Sequence, residues 1–374
     1  MNDIKQASQH EIRFCHIDEA DLLMNFIENH WKKGHILAHS KELLDFQHLD
    51  KENKRYNFVV AFNTQSKEFD AILGFIPLSK YDISLKSLNE YWLAIWMVKK
   101  EFAKHGIGLK LYYHFIKCFE PSSIGIIGIS EDAKKIYKAF KYKIDFLQHF
   151  YIKNETLKDF KIASFSQNLQ ALSSSSTHKI EQISLASFKN TKLFLAHSPR
   201  KSLDFFINRY EKHPFYTYEF FGIFEKDFLQ CILVMRENKI QGAKCLRIVD
   251  FAGTFPNNLY AQFQTLLQKR QCEYLDLLCY TENASEILKA GFICKNEQDL
   301  VPNYFEPFEK KNVNIEFAYK TEAKDYILCK ADGDQDRPNI LPLSSGGGAL
   351  IHERLKSSSF YPPYPYHFKN LLCA

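Results

Sequence analysis

Two glycines placed directly after an apolar run constrain this chain more than any other feature of its 374 residues. The run Tyr91-Trp92-Leu93-Ala94-Ile95-Trp96-Met97-Val98 is rich in aromatic and β-branched residues and reads as a buried strand. Lys99 to His105 is polar, and Gly106-Ile107-Gly108 opens an amphipathic helical stretch that reaches Phe119. Glycine at such a junction permits backbone conformations that other residues resist and lets a ligand approach the main chain. The first amides of the helix are unpaired donors backed by the positive end of its dipole. A strand, glycine turn and helix in this order form a phosphate cradle. The same glycines also serve ordinary tight connections, and G-x-G alone does not separate the two.

The length suits two domains, and an apolar content of 45% with 15% aromatics gives each a substantial core. A net charge of +5 does not call for nucleic acid and is compatible with anionic ligands such as CoA or nucleotide-sugars. The nine cysteines form no C-x-x-C pair and no zinc spacing with histidine, so reduced thiols and no metal are expected. Met1 to Gln6 lacks the apolar core of a signal peptide, and no run approaches the roughly twenty apolar residues of a membrane helix. The expectation is a cytoplasmic protein without membrane insertion.

Residues 11 to 153 alternate strand and helix patterns. A strand over 11–16 precedes a helix over 18–31 with Asp18 as N-cap, then strands over 57–62 and 71–77 lead to the opening run. After the helix over 108–119 come a strand over 124–129, a helix over 131–140 and one strand from about Lys143 to Ile152. The second half repeats the order, with strands over 215–224, 228–235 and 244–251, a helix over 257–270, a strand over 274–279 and a helix over 285–290 that ends at Gly291. This shared order suggests a divergent internal duplication. The domains are expected at 1–160 and 181–340, joined by a linker over 161–180 that contains Ser173 to Thr177, with a disordered tail over 341–374.

The first half resembles the GCN5-related N-acetyltransferase (GNAT) superfamily, whose signature runs from a strand ending in Val through x-Pro-x-aromatic-Arg-Gly-x-Gly-x-Gly into a helix. Val98, Phe102, Lys104, His105, Gly106, Ile107 and Gly108 keep that register, while Lys100 stands for the Pro and Ala103 for the Arg. The resemblance implies an α/β (α+β) fold of two GNAT-like domains, each a mixed, mostly antiparallel sheet flanked by helices. It implies that acyl-CoA, with acetyl-CoA foremost, lies along Trp96, Met97 and Val98 with its pyrophosphate over Lys104 to Gly108. Lys100 and Lys104 return the charge that Ala103 lacks. Ile136-Tyr137-Lys138-Ala139-Phe140-Lys141-Tyr142 matches a further family segment, Leu-Tyr-x-x-x-Gly-Phe, in which the Tyr protonates the departing thiolate. Tyr137 is the implied acid; a packed core aromatic is the alternative for it. The attacking amine needs a base, and Glu90 at the start of the strand is the first choice by position, with His114 and His149 behind it.

Across residues 11 to about 340 the chain also resembles paired-GNAT proteins encoded with bacterial surface-polysaccharide genes, which implies transfer to an amino-sugar or nucleotide-sugar acceptor. Two segments are candidates for holding that acceptor: Pro302 to Phe308, with Asn303, Tyr304 and Glu306, and Asp332 to Asn339, with Asp334, Asp336 and Arg337. The alternative for the first is a structural clamp of prolines and aromatics. For the second it is a turn held by Asx bonds, with Arg337 pairing a carboxylate. The second half keeps only Gly253 where the first has G-x-G, so acyl-CoA is expected on the first domain alone. Two further readings stay open: a FemAB-like aminoacyl transferase, which lacks the basic helical arm it would need here, and a non-catalytic protein that binds acyl-CoA or a sugar.

Overall fold

A computed structural model describes residues 9–166, 177–188, 193–195 and 197–341. The tail expected over 341–374 and the Ser173 to Ser176 part of the linker lie outside the described residues, apart from Leu341.

Strand β1 (His10–His16) runs into a helical segment whose first turn is capped by His16 rather than by Asp18. The Glu19 carboxylate accepts from the His16 amide and closes the cap. Helix α1 (Ala20–Phe26) widens into a π turn over Ile27–Trp31. Helix α2 (Lys41–His48), capped by Ser40, follows; the sequence pattern did not mark it. Strands β2 (Arg55–Asn63), β3 (Phe69–Pro77) and β4 (Glu90–Val98), helix α3 (Ile107–Phe119), strand β5 (Ser123–Ile127) and helix α4 (Glu131–Ala139) come next. On β2, Val59 and Ala61 pack toward α3 while Phe58 and Val60 pack toward α1 and α2, so the period of two places a core on each face.

The strand expected over 143–152 is two strands. Strand β6 (Lys143–Phe146) stays in the first sheet, and β7 (Gln148–Lys153) enters the second, the chain turning at the buried Leu147. Strands β8 (His178–Gln182), β9 (Glu219–Glu225), β10 (Phe228–Ile240) and β11 (Ala243–Gly253), helix α5 (Tyr260–Arg270), strand β12 (Tyr274–Thr281), helix α6 (Ala284–Lys289) and strand β13 (Ile293–Cys294) build the second half. Strand β14 (Glu316–Thr321) then returns to the first sheet, and β15 (Ile327–Cys329) pairs with β12.

The first sheet runs β1-β2-β3-β4-β5-β14-β6 and the second β13-β7-β12-β11-β10-β9-β8. The two halves therefore trade strands. Strand β7, from the first half of the sequence, lies between β12 and β13, while β14, from the second, lies between β5 and β6. A shared core containing Trp92, Ile127, Val234, Val249, Phe317, Tyr326 and Leu328 joins the sheets. Residues 161–166, expected within the linker, are packed onto the second half: Lys161 and Ile162 amides donate to Glu273, and Ser166 bonds Asp299.

Candidate active site

The parallel pairing of β4 with β5 covers three residue pairs, Glu90 with Ser123, Tyr91 with Ile124 and Trp92 with Gly125, and then stops. From Leu93 onward β4 keeps a ladder with β3 alone. A bulge on β4, where Ala94 and Ile95 oppose the single residue Gly74, twists the strand away from β5 at that point. The splayed strands enclose a cavity of about 570 Å³. One wall holds Ala94, Trp96 and Val98, the other Ile126, Gly128 and Ile129, and α4 adds Ala133, Lys135 and Tyr137.

At the mouth of this cavity, a 3-10 turn over Lys100–His105 ends at Gly106, whose φ of 66° is the left-handed conformation glycine adopts without strain. No side chain caps the first turn of α3, which leaves its amides free to meet an anion. Gly108 serves a different need. A Cβ there would stand 3.2 Å from Val98 Cγ2 and 3.3 Å from Trp96 Nε1, so the missing side chain lets α3 lie against β4.

Of the residues expected to hold acyl-CoA, Trp96, Val98, Gly106 and Gly108 line the cavity. Met97 packs on the other face of the sheet, against the cluster of Phe58 and Val60, because neighbouring side chains on a strand point opposite ways. Ile107 is buried in the core under α3, and Lys104 and His105 are exposed outside the lining. The missing arginine leaves Ala103 on the wall, and the cation that does line the cavity is Lys135. Trp31, Ser130 and Lys135 were not foreseen, while Gln335 belongs to the segment Asp332 to Asn339 that the sequence singled out. Ser130 had a legible signal, since it caps α4 by accepting from the Ala133 amide, ahead of Glu131 and Asp132.

Tyr137 is 2% exposed, lines the cavity and faces the Trp96 ring at 5.9 Å between centroids. Burial, reinforced by Tyr112, raises its pKa and keeps the phenol protonated. Glu90 lies elsewhere. At the closed end of β4, it is not among the cavity residues, and its carboxylate accepts from Ser198 Oγ at 3.3 Å and from the Arg200 amide at 3.0 Å. Burial raises its pKa against those bonds. His114 packs edge-on against Phe14, and His149 is bonded to Asp276 at 2.9 Å in the second sheet.

The carboxylate that does line the cavity on the side of the second half is Asp334, beside Gln335. Arg337 holds it at 3.0 Å and donates its other terminal nitrogen to His35 at 2.8 Å. Asp336, which burial alone would raise, is held well below the usual carboxylate range by Arg236 at 3.0 Å and by Lys330; Tyr218 also donates to it. Asn303, Tyr304, Glu306, Asp336 and Arg337 line one crevice, and Gln335 borders both it and the cavity. The two segments singled out in the sequence thus meet in space.

The second sheet has the same construction. The β11–β12 pairing covers Leu246 with Leu275, Arg247 with Asp276 and Ile248 with Leu277, and Val249 is the bulge on β11. There the opening is filled by the chain itself: β15 continues the edge of β12, the Lys330 amide donates to Leu278 O at 3.0 Å and Ala331 reaches Val249 O at 3.4 Å.

No protein-family model and no curated protein matches the sequence. Solved structures do match. A GCN5-related N-acetyltransferase from Anabaena variabilis ATCC 29413 superposes with a TM-score of 0.51 at 11% identity, over 83% of this chain and 72% of that one. A conserved protein of unknown function from Enterococcus faecalis V583, described as a "probable N-acyltransferase", gives 0.50 at 9% identity, over 84% and 72%. These likenesses show the fold, two GNAT-like domains in one chain.

Proposed function

We propose that this chain is an acyl-CoA-dependent N-acyltransferase, with acetyl as the expected group and a cytoplasmic amino-sugar or nucleotide-sugar precursor as acceptor. The observation that carries the reading is the splay of β4 from β5, which opens a cavity running from the uncapped start of α3 past Tyr137 to Asp334. The bound donor supplies an acyl group activated as a thioester. The Gly106 to Gly108 turn and the first amides of α3 would hold its pyrophosphate, with Lys135 adding charge. The unpaired edge of β4 from Leu93 would bond the amides of its pantetheine arm. The buried Tyr137 hydroxyl keeps a proton for the departing sulfur, and the Asp334 carboxylate, oriented by Arg337, accepts one from the incoming amine.

One observation, Ala103 in place of a basic residue, favours a protein that binds acyl-CoA without turning it over. Calorimetry with acetyl-CoA and thiol release with a panel of amino-sugars decide between these readings. Binding with release supports the enzyme, binding without release from any amine supports the second reading, and no binding overturns both.

A further inference from the structure

The crevice that joins the cavity through Gln335 contains one cation without a direct ion-pair partner among the described residues. Among the described residues it is lined by three cations, Arg236, Lys330 and Arg337. Arg236 is paired with Asp336 and, at 3.7 Å, with Glu306, and Arg337 with Asp334, while Lys330 acts on Asp336 only from a distance. Lys330 is 5% exposed and meets neither a carboxylate at ion-pair distance nor a hydrogen-bond acceptor among the described residues; its ammonium sits 5.1 Å over the Tyr304 ring. The remaining anion, Glu306, is at the rim, 41% exposed in its side chain and bonded to the Tyr216 hydroxyl. Further donors go unused nearby, since Arg236 Nε and Arg337 Nε have no acceptor.

An ammonium that reaches a crevice in an otherwise buried side chain, with an aromatic ring as its nearest partner, is a receptor for an anionic group. Burial and the nearby Arg247 push Lys330 down to about 8, so it still carries its proton at neutral pH. The crevice is small, about 30 Å³, which suits a carboxylate better than a phosphate or diphosphate.

We propose that Lys330, with Arg236 and Arg337 behind it, binds a carboxylate of the acyl acceptor, so that the acceptor is an amine that also bears a carboxylate. This rests on the acyltransferase reading for the word acceptor, but the binding site can be tested without catalysis. The crevice and the cavity share Gln335, which places the carboxylate end in one and the amine in the other.

The test compares 2-amino-2-deoxyglucuronate with glucosamine and glucosamine 6-phosphate, by calorimetry on the full chain in the absence of acyl-CoA. The expected result is that the carboxylated amine binds at least tenfold tighter than glucosamine and tighter than the phosphate. Lys330→Met, or Lys330→Gln if the first variant folds poorly, removes that preference. The melting temperature of Lys330→Met without ligand should change by no more than a few degrees, because Arg236 and Tyr218 still hold Asp336; a purely structural lysine would give a larger fall. Equal binding of the neutral and carboxylated amines, preference for the phosphate, or a preference that survives in both variants overturns the proposal. Selective binding with no acyl transfer to any of the three would leave the subsite standing and count against the acyltransferase reading.

Discussion

The Lys330 amide donates to the Leu278 carbonyl at 3.0 Å, and with this bond the second half closes the gap that the first half leaves open between Trp92 and Gly128. The two domains share a sheet, a bulge and a three-pair parallel ladder, so what separates them is the segment 327–331. One acetyl-CoA per chain is therefore the expected calorimetric stoichiometry. Two equivalent sites would show that this segment leaves its cleft readily.

That segment is anchored by a buried ion cluster in which Lys201 Nζ lies 2.9 Å from Asp250 Oδ1 and 2.7 Å from Asp332 Oδ1. Replacing Lys201 by Met leaves two carboxylates buried together, at a cost of about 3–5 kcal/mol. Chemical denaturation should show that loss. A change below about 1 kcal/mol would mean that the carboxylates find another partner or a shared proton.

Tyr137→Phe removes the hydroxyl and keeps the ring against Trp96. The turnover number should fall about 10- to 100-fold with the affinity for acetyl-CoA unchanged, in the range typical of a lost general acid. Glu90→Gln should leave the pH dependence of turnover in place, since Glu90 lies outside the cavity, at the paired end of β4. A pH profile that changes in Glu90→Gln and not in Asp334→Asn would return the base to Glu90.

Ala103 lines the cavity at the position where the GNAT signature has arginine. Ala103→Arg should tighten acetyl-CoA binding by about three- to tenfold at low salt, and by less in 0.5 M salt, because an exposed phosphate contact is screened. Titrations at two ionic strengths check both signs.

His48 is fully buried against Phe58, and burial pushes its pKa from 6.5 down to about 4. Between those values the unfolded chain binds a proton that the folded chain refuses. Stability therefore rises with pH over this window and is lost on acidification, by about 3 kcal/mol for this group. His35 and His213, also lowered by burial, act with the same sign. Urea titrations at pH 7 and 4.5 should show a smaller acid loss in His48→Leu than in the native chain.

Much of the site was readable locally. The run from Tyr91 to Val98 is a strand, Gly106 takes the left-handed conformation, and the helix behind it begins within a residue of the expected place. These depend on the side-chain period and on glycine's missing Cβ, which a short window of sequence contains. Tyr137 was singled out by the resemblance of Ile136 to Tyr142 to a GNAT segment, and it lines the cavity. By contrast, Glu90 was placed by its rank on the strand, and the sequence held no sign that Ser198 and Arg200, more than a hundred residues away, would claim it.

Periodicity and turn residues thus determined which segments are strands and helices and where the glycine turn before α3 lies. Tertiary structure decided which sheet each strand joins. The short stretch from Lys143 to Lys153 divides between two sheets, and Glu316–Thr321 takes the place beside β5, because strand edges bond any extended backbone and only the packing around Leu147, Phe317 and Tyr319 selects the partner. The same packing drives residues 327–331 into one cleft and leaves the other open, and it places Lys330 beside Gln335 without a direct ion-pair partner among the described residues.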